Sequence, residues 1–317
     1  MRYVPYQNLG DTPNIIVDGA PQQATRVTLS HWPHSGTSWE LKADLSAQIV
    51  FRYLERPDLH VAVDAVSNNH FDEDGLMSLY SILSPEQSKG RQGLLVDVAA
   101  AGDFGTYRYR DAVRVAFVIA AFSHSETSPL PRSIFDLSYS EVTGELYQEM
   151  LSRLPDLLAN VEAYRKYWEQ EDQELSRSEA AIYNGAVRIE DYPEIDLAIV
   201  TLQEGTNCHP IAIHNATDRF RILIIAGAKY EFKYRYETWV QYISSRPLPR
   251  VDLTPLAAQL SQQESAGWKF DGVDQIVPRL YLEDKEESRI SPDTFRRQMI
   301  DFLARAPYAW DPFDPRR

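Results

Sequence analysis

The 317-residue chain carries 46 Asp and Glu against 32 Lys and Arg, a formal net charge of −14, which repels a phosphate backbone and excludes bulk nucleic-acid binding. With 44% hydrophobic and 25% charged residues, it has the composition of a folded globular protein and not of a collagen-like or disordered one. The single cysteine, Cys208, closes no intrachain disulfide, no basic and apolar signal pattern opens the chain, and no apolar stretch approaches the roughly 20 residues of a bilayer span. A cytoplasmic protein without a membrane partner is expected.

The first third alternates strand and helix. Residues 14–18 and 26–30 are short β-branched runs, and residues 40–54 carry Leu41, Leu45, Ile49, Val50 and Tyr53 at helical spacing before the stop signal Pro57. Residues 59–66 read as a strand, and a second helix follows over 76–83. This order predicts a parallel sheet with covered faces. Residues 93–105 are open to a strand or a helix, with helix preferred, and 111–122 and 145–181 are helical. The charged run 168–175 in the latter reads as a solvated face or connector.

From residue 186 the texture turns to short β-rich runs at 198–202, 211–213, 220–225 and 229–236, with Gly227 placed for a hairpin. A second hairpin is expected around Asp271-Gly272, and helices at 256–263 and 292–303. The predicted fold is therefore α/β. A parallel-sheet domain over residues 1–185, ending in a helical connector, precedes a smaller α+β domain over 186–317.

The chemistry concentrates in the loop 67–75. His70, Asp72 and Asp74 alternate just past an apolar strand and just before a helix, and alternate positions on an extended loop converge on one ion. Carboxylates with an imidazole and no thiolate suit a divalent cation from the harder part of the series. The loop also lies where open α/β sheets gather ligands, beyond the carboxyl ends of the strands. An EF-hand fails, because Ser81 stands at loop position twelve and no helix precedes the loop. A polar turn in which Asp72 or Asp74 caps the helix is the plain structural alternative.

The run His70-Phe-Asp72-Glu-Asp74-Gly75-Leu-Met-Ser78 resembles the first motif of the DHH phosphoesterase superfamily. The resemblance implies a DHH-like N-terminal domain, two metal ions, manganese prominent among them, and hydrolysis of phosphate esters or anhydrides. It covers about a dozen residues; no Asp-His-His triplet and no later Gly-Gly-His element follow. The ligands missing from the motif would come from Asp97, Asp103, His124 or His31.

Asp103 and His124 are accordingly candidate metal ligands beside His70, Asp72 and Asp74, and Asp103 and His31 are the candidate catalytic pair. His31 lies in Ser30-His-Trp-Pro-His-Ser-Gly36, another loop after a strand, and its plain alternative is a hydrogen-bonded surface loop. Arg219, Arg221 and Arg235 are candidate phosphate-binding residues, although the sequence 229–236 also reads as a half-exposed strand. His209 and His214 fall on opposite faces of an expected strand and are assigned structural roles. The expected function is a metal-dependent phosphoesterase acting on a small phosphorylated or nucleotide-like substrate, with a homo-oligomer allowed. The rival is a binding or scaffold protein keeping a degenerate site.

Overall fold

The computed structural model describes residues 1–264, 266–283 and 287–314. The chain forms two compact units: residues 1–173 with 242–244, and residues 174–241 with 245–317. The expected boundary near 185 thus lies some residues beyond the observed division, past the end of a helix that spans it.

The first unit holds β1 (Arg2–Tyr3), β2 (Asn14–Val17), β3 (Thr25–Leu29), α1 (Ser46–Leu54), β4 (Ala65–Ser67) and α2 (Glu73–Leu83). It continues through α3 (Pro85–Lys89), α4 (Gln92–Asp103), α5 (Arg110–Ser123) and α6 (Tyr139–Ala159), and α7 (Glu169–Tyr183) carries the chain out of it. The sheet order is β1-β4-β2-β3, and every pairing is parallel. Ile15, Ile16, Val17 and Val66 are buried on both faces, which is why these short strands read as unbroken apolar runs. The apolar stripes of α1 and α2 cover them, with Ile49, Val50, Leu76 and Leu79 fully buried.

Several elements differ from expectation for identifiable reasons. The strand expected over 59–66 shrinks to β4, because residues 57–59 form a 3-10 turn and Val61 and Ala62 are exposed. The helix expected over 40–54 begins only at Ser46, where its first amides find an acceptor described below. The helix expected over 145–181 is two helices, because Asn160 leaves the helical region and a 3-10 segment covers 161–167. Of residues 93–105, those up to 103 are helical, so Asp103 is the last residue of α4 and not a loop residue.

The second unit contains β5 (Val187–Tyr192), β6 (Leu197–Leu202), α8 (Pro210–Ala216), β7 (Arg221–Ala226), β8 (Lys229–Tyr234) and β9 (Arg250–Val251). It closes with α9 (Thr254–Ser261), β10 (Trp268–Phe270), β11 (Arg279–Leu282), α10 (Pro292–Arg305) and β12 (Tyr308–Trp310). Its mixed six-stranded sheet runs β10-β11-β8-β7-β6-β5, with β6 and β7 parallel. Leu223, Phe232, Tyr234, Phe295 and Met299 form much of its core. The β7–β8 hairpin is as expected. Residues 211–213 are helical instead of extended, since Pro210 opens α8 and the His209 ring accepts the Ile211 N–H at 3.2 Å. The β10–β11 hairpin has a long loop in place of a tight Asp-Gly turn, because the buried Arg250 guanidinium fills it and donates to the Val273 and Ile276 carbonyls. Among the described residues no helix is long and apolar enough to cross a membrane.

Candidate metal centre

Three strands of the parallel sheet deliver side chains to one place at their carboxyl ends. Asp18 directly follows β2, His31 comes two residues after β3, and His70 three residues after β4. The N-cap and first turn of α2 add Asp72 and Asp74 respectively, and the end of α4 adds Asp103. Asp18, His31 and Asp74 are fully buried. The Asp18 backbone adopts φ 46°, the left-handed region that Asp tolerates better than most residues.

Asp18 stands between two groups of donor atoms. With His70 and Asp72 it forms one set, and with His31 and Asp74 another; within each set the potential ligand atoms lie inside 4.8 Å of one another. Asp18 Oδ2 is 3.3 Å from His70 Nε2, which is 2.7 Å from Asp72 Oδ2. On the other side, His31 Nε2 lies 3.5 Å from Asp18 Oδ1, 3.9 Å from Asp74 Oδ2 and 3.4 Å from Asp103 Oδ2.

Hydrogen bonds from the framework fix these groups. His31 Nδ1 is 2.5 Å from the Asp44 carbonyl oxygen. A carbonyl only accepts, so Nδ1 carries the proton and, in the neutral ring, Nε2 presents its lone pair to the three carboxylates. The Ser46 hydroxyl donates to Asp18 Oδ1 at 2.7 Å. The Ser46 and Ala47 amides, the first of α1, donate to Asp74 Oδ2 and Oδ1, each at 2.7 Å, so the second carboxylate of the motif caps one helix while riding on another. Asp72 caps α2 through Oδ1, which accepts the Gly75 N–H at 2.8 Å, and turns Oδ2 to His70. Asp72 thus caps α2, as the structural alternative expects, whereas Asp74 serves the start of α1 and not of α2. Asp103 Oδ2, by contrast, accepts no hydrogen bond among the described residues although it is buried.

The backbone approaches closely around this cluster. A Cβ on Gly75 would lie 2.3 Å from both Asn68 Nδ2 and the Tyr147 hydroxyl, and one on Gly102 would lie 2.5 Å from the Glu73 carboxyl. Trp32 packs its ring on that of His70 at 4.9 Å.

Electrostatics separates the two sets. Burial works against ionising Asp18, but the hydrogen bond and charge of His70, with help from His31 and Ser46, hold its carboxyl at about 2. Burial likewise opposes a charge on His70, and Asp72 and Asp18 overcome it, keeping that ring protonated well above the ordinary imidazole range. His31 goes the other way: burial outweighs Asp18 and lowers its pKa, favouring the neutral ring. Burial and the charges of Asp18 and Asp72 raise Asp74, and burial with the charges of Asp72 and Asp74 raises Asp103. The His70 set thus balances its charge with a proton on the imidazole, whereas in the His31 set burial and like charge push the imidazole and two carboxyls towards their neutral forms.

The remaining sequence candidates lie elsewhere. His124 ends α5 and bonds the Ala120 carbonyl at 2.7 Å, a helix-terminal role. Asp97 accepts the Arg108 and Tyr109 amides at the start of α5. Arg221 is buried in the second unit and donates to the Ile195 and Pro249 carbonyls at 3.0 and 2.8 Å. Arg235 is buried against Glu237 and the carbonyl of Thr217, and Arg219 faces Asp191 and Asp196 at 4.0 and 3.8 Å. These guanidinium groups serve the framework of their own unit. Asp18 went unnoticed in the sequence reading; its signal is a carboxylate placed directly after a β-branched run in a sheet of parallel strands.

Buried acidic and imidazole groups that can hold a metal ion are therefore present. The pattern of DUF6687, a family of unknown function, matches residues 1–314. No curated protein matches the sequence.

Proposed function

We propose, for a chain that belongs to the DUF6687 family and so inherits no assigned activity, that it is a metal-dependent hydrolase of phosphate esters or anhydrides. Two divalent cations, manganese first among them, would be held on either side of Asp18. The observation that carries this reading is His31, whose Nδ1 is committed to the Asp44 carbonyl while Nε2 faces oxygens of Asp18, Asp74 and Asp103 at 3.4 to 3.9 Å. A neutral imidazole pointing its lone pair at three buried carboxylates is unfavourable by itself and suits a cation at their centre.

The donor chemistry fits. Carboxylate oxygens with two imidazoles and no thiolate match manganese or magnesium better than softer ions, and Asp103 Oδ2, buried without a hydrogen bond, is the acceptor such an ion would satisfy. His70, Asp72 and Asp18 Oδ2 would form one ligand set; His31, Asp74, Asp103 and Asp18 Oδ1 the other. Bound divalent ions lower the pKa of water and polarise a phosphoryl oxygen, the two requirements of phosphoester hydrolysis. The protein's own part is to fix the donors: Asp44 sets the His31 tautomer, Ser46 and Ala47 orient Asp18 and Asp74, and Trp32 shields one face of the His70 ring. To hold a cation the His70 ring would have to be neutral, its proton passing to solvent. The DHH-like reading rests on the His70 motif alone; here that motif follows the fourth strand, and Asp18 and His31 precede it in the chain.

The test is elemental analysis of tag-free protein after manganese incubation, beside Asp72→Ala and Asp74→Ala, followed by assays on phosphodiesters, nucleotides and pyrophosphate. Near-stoichiometric metal lost in both variants, with turnover of one substrate class, is the expected result. Folded parent and variants equally empty would overturn the metal reading. A loaded but inert parent would leave a metal-binding scaffold.

A further inference from the structure

The Asn68 amide is fully buried directly after β4, and the hydrolase reading gives it no task. Its Oδ1 accepts the His70 N–H at 3.1 Å. That bond decides which way the amide points, and it leaves Nδ2 facing Asp18 Oδ2 at 3.5 Å. The same Asp18 oxygen faces His70 Nε2. The other oxygen, Oδ1, is held by the Ser46 hydroxyl. The two oxygens of the shared carboxylate are therefore pinned from different directions, one by Ser46 and one by Asn68.

The neighbouring Asn69 ties the same two loops together, since its Oδ1 accepts the Ala20 N–H at 3.2 Å. A Cβ on Gly19 would lie 2.1 Å from Asn69 Oδ1 and 3.1 Å from Asn68 Oδ1. The loops after β2 and β4 close on one another only because residue 19 has no side chain.

We infer that Asn68 is a positioning residue, which by donating to Asp18 Oδ2 aims that oxygen at the His70–Asp72 set and leaves Oδ1 to the His31 set. This rests on the two-set reading above. A carboxylate that serves two cations must present its oxygens in two fixed directions, and hydrogen bonds to ligating carboxylates are what fix them. Without the Nδ2 donor, Oδ2 keeps only its contact with His70 while Oδ1 keeps the Ser46 hydroxyl, and the carboxylate turns more readily towards the His31 side.

Asn68→Asp tests this, because it keeps the size of the side chain and the acceptor for the His70 N–H while replacing the donor with an oxygen. Equilibrium dialysis against manganese(II) gives stoichiometry and affinities, and electron paramagnetic resonance distinguishes an exchange-coupled pair from an isolated ion. The parent is expected to bind two coupled ions. Asn68→Asp is expected to keep one isolated ion and to weaken the other roughly 10- to 100-fold, the usual effect of removing such a partner. Gly19→Ala, which opens the closure from the opposite loop, is expected to lose the same ion, and circular dichroism reports that both variants are folded. Two coupled ions at parental or tighter affinity in the variants would overturn the inference and spare the two-set reading. Equal loss of both ions from folded protein would also overturn it, making Asn68 a general support. A parent that binds no manganese would sink the reading and the inference together.

Discussion

In the second unit Arg221, Arg235 and Arg250 are buried with their guanidinium groups spent on backbone carbonyls and on Glu237. In the first unit Asp18, Asp74 and Asp103 are buried facing one another around an imidazole. Both arrangements remove charge from water, which costs several kcal/mol per ion unless partners restore it. The arginines donate to carbonyls or to Glu237, although Arg221 Nε stays without a hydrogen bond among the described residues, and the protein gains a framework. The carboxylates accept some amide and hydroxyl donors, yet they crowd like charges together and leave Asp103 Oδ2 without a hydrogen bond. The comparison teaches that the two units bury charge differently: one spreads its guanidinium groups over separate carbonyls, the other gathers its carboxylates around a single imidazole.

The strongest way to break this contrast is Asp18→Asn, which removes the charge common to both ligand sets. Manganese binding is expected to fall more than roughly 100-fold at both positions, beyond the effect typical of an outer partner, as read by equilibrium dialysis. Retention of either ion at parental affinity would deny Asp18 its shared place. On the other side of the comparison, Arg235→Ala strands Glu237 in the interior and is expected to cost about 3 to 5 kcal/mol in urea unfolding of the second unit. Metal content per folded molecule should stay unchanged. Manganese itself should stabilise the parent by about 2.7 kcal/mol for each site filled at a hundred times its dissociation constant, and a thermal melt that ignores the ion would count against the site.

Asp103→Asn sharpens the contrast because its two effects have opposite signs. Removing a buried, like-charge carboxylate is expected to stabilise the metal-free protein by roughly 1 kcal/mol while weakening manganese binding, so denaturation with and without the ion must cross over. The smallest effect belongs to Asp172, which Arg110 and Arg114 embrace at 2.6 and 3.2 Å. Burial pushes its carboxyl up, but hydrogen bonds from both arginines win and hold its pKa below the ordinary value. A carboxylate depressed in the folded state adds stability above its unfolded pKa and loses it as pH falls through the folded one. The stability gap between the parent and Asp172→Asn should therefore close on acidification below the usual carboxylate range, and a gap that widens instead would contradict the assignment.

The sequence pointed to one loop, and not to the residues that the fold gathers around it. His70, Asp72 and Asp74 stand out by their alternation before a helix, but they do not converge on one ion position as expected: Asp74 lies on the first turn of α2 and groups with Asp18 and His31, while His70 and Asp72 group with Asp18; the parallel sheet followed from alternating periodicities. Asp18 was not legible, since nothing local separates a carboxylate ending a strand from any other loop residue; only the lateral order β4-β2-β3 brings it beside His70 and His31. Asp103 was legible as a carboxylate but misplaced in a loop, because the glycines of 93–105 look like punctuation until packing shows that Gly102 lets α4 lie against Glu73. The arginines misled because a cluster of cations in sequence says nothing of the carbonyls that fold onto it. His209 and His214 changed element altogether when Pro210 and the His209 ring started a helix.

The backbone at Gly75 and Gly102 lies so close to Asn68, Tyr147 and Glu73 that neither position has room for even a methyl group. In a saturation library scored for manganese retention, both positions should tolerate no substitution, although neither residue donates a ligand atom. The outline of the centre would then be recorded in heredity by absent side chains as well as by charged ones.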